Sequence, residues 1–162
     1  MKISNDQIKI IQDKFAAMQS KEDLVELLSL AKDFYYGETT TPFQLKSLSY
    51  YSNPKFSGKG RYRQFTIRKK SGGTRTIHAP VRGLSELLRA FNVVLQCMYE
   101  PHASATGFVT GKSVVDNAMI HVGKRYVYNI DMKDFFYSFD RNRVKMGLMF
   151  EPFNLKGEKE PL

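Results

Sequence analysis

The stretch Tyr62-Arg63-Gln64-Phe65-Thr66-Ile67-Arg68-Lys69-Lys70-Ser71-Gly72-Gly73-Thr74-Arg75-Thr76-Ile77-His78-Ala79-Pro80 decides how the rest of the chain is read. Phe65 and Ile67 alternate with Gln64, Thr66 and Arg68, the period-two pattern of an amphipathic strand. Ser71-Gly72-Gly73 marks a turn, because glycine enters positive φ without steric cost. Alternation resumes from Thr74 to His78, and Pro80 closes it. The expected element is an antiparallel β-hairpin with one basic face and a Lys69-Lys70 tip.

Upstream, the apolar spacing becomes helical. Ile8, Ile11, Phe15 and Met18 predict an amphipathic helix over 5–18, capped by Ser4 or Asn5. Ser20 with Asp23 forms an acidic capping box for a second helix. Its face is Leu24, Leu27, Leu28 and Ala31, and Gly37 stops it. Thr41 as N-cap and Pro42 at the first helical position predict a third helix over 42–51, ended by Ser52-Asn53-Pro54. Residues 55–60 read as a Gly/Lys loop.

Downstream, residues 84–98 predict a long helix with Leu84, Leu87, Leu88, Phe91, Val94, Leu95 and Met98 inward. A loop over 101–110 leads to a short helix at 113–122. Tyr126-Val127-Tyr128-Asn129-Ile130 predicts a strand that ends in Asp131, with Asp134, Phe135 and Phe136 just beyond. Asp140 caps a last helix over 141–149. The order helices, hairpin, helix, strand, helix argues for an α+β fold.

Charge is concentrated rather than spread. Residues 55–82 carry nine Lys/Arg and no Asp/Glu, against six basic and seven acidic residues in 1–54 and ten and nine in 83–162. The net charge of +9 therefore comes from one strip, the footprint of a polyanion partner. Cys97 is alone, so no internal disulfide can form, and its apolar neighbours read as a buried small hydrophobe. With no apolar leader and no membrane-length apolar run, the expected location is the cytoplasm, away from membranes.

Three tempting motifs fail or stay open. Gly111-Lys112-Ser113 resembles a P-loop tail, but the required upstream glycine is displaced by one residue to Gly107. His78, His102 and His121 share no metal-ligand spacing, which argues against zinc. Asp131 ends an apolar run, where a carboxylate needs compensation. A metal would provide it, and so would an ion pair with Lys133 or Arg125.

Three stretches in this order resemble the bacterial reverse transcriptases of retron and group II intron type. The hairpin resembles their first fingers motif. Ala105-Thr106-Gly107-Phe108-Val109-Thr110-Gly111-Lys112-Ser113, followed by Asn117-Ala118 and His121, looks like their second. Asn129-Ile130-Asp131-Met132-Lys133-Asp134-Phe135-Phe136 is similar to palm motif A. One departure is Arg68, where the family often has Pro.

The resemblance implies a truncated right-hand polymerase fold: an N-terminal helical region (1–54), fingers (55–125) and the start of a palm (126–162). It implies RNA-directed DNA polymerase activity, a nucleotidyl transfer using two Mg²⁺ ions, with Mn²⁺ as an alternative. Asp131 matches a catalytic metal ligand, and Asp134 and Phe135 match positions against the incoming triphosphate. Phe136 matches the aromatic that excludes a ribose 2′-hydroxyl. Lys69 and Arg75 match fingers residues on the triphosphate, while Arg61, Arg63, Arg68 and Lys70 are expected on nucleic acid. Implied partners are an RNA template, a DNA or RNA primer, dNTPs and a structured non-coding RNA. The family's Tyr-x-Asp-Asp turn has no counterpart, because the chain contains no Asp-Asp dipeptide.

The expectation is therefore an N-terminal fragment of a longer polymerase, inactive alone. Its palm strand should be left unpaired, giving self-association through that edge or disorder after about residue 140. The competing expectations are a non-catalytic nucleic-acid-binding module and an anti-phage defence protein reusing the fingers.

Overall fold

A computed structural model describes residues 3–53, 55 and 60–155. Pro54 as a helix stop, the centre of the Gly/Lys loop and the tail from residue 156 lie outside the described residues. The described elements are six α-helices and one two-stranded antiparallel sheet, an α+β composition. In chain order they are α1 (Asn5–Ala17), α2 (Lys21–Tyr36), α3 (Leu45–Ser52), β1 (Tyr62–Arg68), β2 (Thr74–Pro80), α4 (Arg82–Met98), α5 (Val114–Met119) and α6 (Arg141–Met149). They fall into two compact units that divide after Met98.

Local chemistry starts the first two helices where the sequence places them. Ser4 caps α1 reciprocally with Gln7, and Ser20 caps α2 reciprocally with Asp23. Hydrogen bonds from the Gln19 and Ser20 backbone and the Ser20 side chain hold the exposed Asp23 carboxyl below its ordinary pKa. Gly37 ends α2 at φ 73°, in the left-handed region where a Cβ would be strained.

The core of the first unit is the meeting of α1, α2 and α4. Ile11 and Phe15 pack with Leu27, Leu28, Ala31 and the buried face of α4. Gln12 Nε2 donates to the Cys97 carbonyl at 2.8 Å, tying α1 to the end of α4. Lys32 of α2 reaches Glu86 of α4 at 3.4 Å. Burial pushes the Glu86 carboxyl up, but hydrogen bonds and charge from Arg82 and Lys32 outweigh it, and its pKa lies below the ordinary value.

Several expectations need correction. The third helix begins at Leu45, not at residue 42, and Thr41 does not cap it. Residues 40–43 are tethered to α2 instead: the Thr40 amide and hydroxyl donate to Asp33 Oδ1, Lys32 Nζ donates to the Thr41 carbonyl, and the Phe43 amide donates to Ser29 Oγ. On α4 the buried face is Leu84, Leu87, Ala90, Val93, Val94 and Cys97, with Leu88 exposed. Small residues let the other helices approach closely, so the face is turned relative to the stripe of large side chains. Gly83 shows the same close approach, since a Cβ there would lie 2.5 Å from the Tyr51 hydroxyl.

In the second unit no strand forms over residues 126–131. A strand exists only as part of a paired ladder, and among the described residues the ladder is β1 with β2 alone. Tyr126, Val127, Tyr128 and Ile130 are exposed. The expected route to self-association, through a palm-strand edge, thus has no strand to carry it. Against the expected disorder from about residue 140, Asp140 Oδ1 accepts from the Arg143 amide at 2.7 Å and starts α6, while the tail from residue 156 lies outside the described residues. The helix expected over 113–122 is cut to Val114–Met119, beyond which turns closed by i+3→i hydrogen bonds take over.

Candidate nucleic-acid interface

The hairpin is where the basic strip acquires geometry. Its register pairs Arg63 with Ala79, Phe65 with Ile77 and Ile67 with Arg75. Cross-strand partners share a face. Arg63 and Arg75 therefore stand on the same face as Phe65, Ile67 and Ile77, while Arg68 stands opposite with Gln64, Thr66, Thr74, Thr76 and His78. The expected single basic face is corrected to two. One mixes cations with exposed apolar side chains, and the other is polar with one guanidinium at its end.

Lys69 and Lys70 lie in the loop between the strands, both exposed. The Lys69 amide donates to the Gly73 carbonyl, and the Gly72 amide donates to the Lys69 carbonyl. Gly72 and Gly73 sit at φ 89° and 77°, which keeps this tip tight. Among the described residues no carboxylate pairs with Arg63, Arg68, Lys69, Lys70 or Arg75, so their charge faces solvent uncompensated.

Arg61 has a different job from the one expected. It is 9% exposed, and its Nη2 donates to the carbonyls of Tyr50 and Asn53 at the end of α3. The guanidinium also lies over the Tyr50 ring at 5.8 Å. A side chain so enclosed joins the hairpin base to α3, and its buried Nε makes no hydrogen bond among the described residues.

At the hairpin base lies a cleft of about 320 Å³ whose walls include Tyr36, Arg63, Arg82, Glu86 and Arg89. Of these only Arg63 stood out in the sequence. The others belong to elements that meet only in the folded unit.

The second unit holds the carboxylate-aromatic stretch. Asp131 is exposed in irregular chain. Asp134 adopts φ 52°, and its carbonyl accepts from the amides of Tyr137 and Ser138, starting a 3₁₀ turn over Phe135–Ser138. Aspartate tolerates this left-handed conformation better than most residues. Phe135 packs edge-on to Phe136 and Phe139, at 5.5 and 4.9 Å between ring centres. Phe136 is the freer ring, 79% exposed against 39% for Phe135.

Among the described residues no three His, Cys, Asp or Glu side chains come together as a metal-binding group. Mg²⁺ takes octahedral oxygen coordination, so Asp131 and Asp134 do not by themselves fit a two-ion centre. The cations of the hairpin and these carboxylates belong to different units, and each set is assembled within its own.

No family model and no solved structure matches the chain. Curated relatives do. The chain is 42% identical over 84 residues to the retron Mx65 reverse transcriptase of Myxococcus xanthus, a match covering 52% of the chain and 20% of that protein. It is 41% identical over 87 residues to the retron Mx162 reverse transcriptase of the same organism, covering 52% and 17%. With the retron Ec86 reverse transcriptase of Escherichia coli it shares 37% over 90 residues, covering 52% and 27%. The matched part is thus about a quarter or less of the length of these relatives.

Proposed function

We infer that this chain, a relative of retron reverse transcriptases over about half its length, supplies the fingers and the first palm motif of an RNA-directed DNA polymerase. In this reading residues 1–54 are a helical support, 55–125 the fingers and 126–162 the start of the palm. The observation that carries it is the likeness to retron enzymes, and the hairpin's five uncompensated cations fit the same role.

Lys69 and Arg75 would meet the triphosphate of an incoming dNTP. Arg can take a phosphate through two parallel N–H donors, and Lys acts as a mobile point charge. Arg63, Arg68 and Lys70 would meet the backbone of the RNA template or of its primer. A retron's own structured RNA is a further partner of the same chemistry. Phe136 would stand against the sugar, braced by Phe135, and Asp134 and Phe135 would border the triphosphate.

Asp131 would be one ligand of the divalent ions, Mg²⁺ or Mn²⁺, which would neutralise charge on the phosphates. Among the described residues no group of carboxylates completes a two-ion centre around it. The chain by itself should bind nucleic acid and not extend a primer. Incubation with poly-rA, oligo-dT, dTTP and Mg²⁺ tests this directly. Extension above a no-protein control would overturn the account of the metal site. Lack of any salt-dependent binding to the template-primer would overturn the nucleic-acid reading.

A further inference from the structure

We propose that the cleft at the hairpin base is a second contact for a single-stranded phosphodiester chain, holding one nucleotide with its phosphate on Arg63 and Arg89 and its base against Tyr36. The proposal rests on the nucleic-acid reading above and deepens it. It places on the strand's path a set of residues outside the hairpin loop and outside the carboxylate stretch.

Three elements build the site. Arg82, Glu86 and Arg89 stand at i, i+4 and i+7 of α4 and so share one stripe of that helix. Arg63 enters from β1, and Tyr36 is the last residue of α2. The one carboxylate in the wall is already taken, since Glu86 accepts from Arg82 at 3.1 Å and pairs with Lys32 at 3.4 Å. Among the described residues Arg63 and Arg89 meet no carboxylate. Two uncompensated guanidinium groups in a concave wall concentrate positive potential and attract an anion.

The dimensions favour an unpaired strand. At about 320 Å³ the cleft is at the small end of ligand sites, which run from roughly 300 to 1,000 Å³. One unpaired nucleotide suits that volume, and a paired helix does not enter it. Tyr36 is partly exposed, and its ring is held edge-on to Tyr35 at 4.9 Å. Arg89 lies over the Tyr35 ring at 6.0 Å, which steadies the guanidinium beside Tyr36. A fixed aromatic beside a fixed cation is the arrangement that takes bases by stacking and phosphates by charge. Arg63 also stands on the hairpin face that bears Phe65, Ile67 and Arg75. Along β1 the step from Arg63 to Ile67, the partner of Arg75, is about 13 Å. One extended strand can therefore touch cleft and tip together.

The test measures affinity of the full 162-residue chain for a short unstructured RNA, and for the DNA of the same sequence, across a range of salt. Arg89→Gln should weaken binding about tenfold and flatten the salt slope by about one. Tyr36→Ala should weaken it by a similar factor and leave the slope unchanged, because stacking releases no counterions, while Tyr36→Phe should bind as the parent does. Phenylglyoxal modification of the unsubstituted chain, read by mass spectrometry, should find Arg63 and Arg89 protected by the strand. That readout holds even if a variant unfolds.

Unchanged affinity and slope in folded cleft variants, or equal modification of Arg89 with and without the strand, would overturn the proposal. Loss of binding only in Lys69→Ala, Lys70→Ala and Arg75→Ala would overturn it too while leaving the fingers reading intact. Loss only in the cleft variants would support the cleft and instead remove the tip from the proposed interface.

Discussion

Residues 3–98 bury eleven apolar side chains against one another, whereas none of the described residues from 99 onward is buried. The first unit is held by a shared core of three helices. The second is ordered by local hydrogen bonds: Ser113 with Asp116, the Asp134 carbonyl with the next turn, and Asp140 at the start of α6. Local bonds of this kind place a turn but do not by themselves hold a short helix, because nucleating a helix is unfavourable. The motif with the polymerase-like carboxylate thus lies in the unit with least burial, and the basic hairpin lies in the unit with the core. Apolar side chains such as Tyr128 and Ile130 remain exposed.

The largest contrast should come from truncating apolar side chains in each unit. Leu27→Ala removes a side chain that is 1% exposed and should cost about 2–5 kcal/mol in urea unfolding. Ile130→Ala, at a 72% exposed position, should change the same quantity by less than about 0.5 kcal/mol. Equal losses at the two positions would mean that the units share their cooperativity.

A smaller contrast concerns the two Ser-Asp capping boxes. Ser20→Ala should lower global stability by about 1 kcal/mol, because α2 is part of the core. Ser113→Ala should leave the global midpoint alone and only speed amide exchange over α5. A global loss from Ser113→Ala comparable to that from Ser20→Ala would contradict the division.

The smallest effect belongs to Glu86. Its folded pKa is depressed, so its contribution is present above the unfolded value of about 4.3 and is lost as pH falls through the lower folded value. The part-buried pairing should be worth no more than about 1 kcal/mol. Glu86→Gln should therefore lose less stability than the parent between pH 7 and pH 3. Parallel losses in the two proteins would show that Glu86 is not a source of the acid sensitivity.

Much of the first unit was legible in the sequence because its signals are local. Ser20 and Asp23 lie three residues apart, Gly37 follows the helix it ends, and the hairpin announces itself by alternation around Gly72-Gly73. What was not legible depended on partners distant in sequence. The start of α3 is set by Asp33 and Ser29, neither of which marks Thr40 or Phe43 from outside. The separation of Arg63 and Arg75 from Arg68 follows from strand register. The burial of Arg61 needs the carbonyls of Tyr50 and Asn53. In the second unit, an apolar run ending in a carboxylate promised a strand at 126–131, but such a run supplies only one side of a ladder. The proposed roles of Asp131 and Phe136 rest on family likeness, and among the described residues no group of metal ligands gathers around Asp131.

Cys97 turns this difference between the units into something that can be timed. It is the chain's one thiol, it lies in the core of the first unit, and burial pushes its pKa up. A thiol reagent therefore adds one label or none, and the label appears only when α4 lifts from its neighbours. Its rate of appearance is a clock for the opening of the helical core.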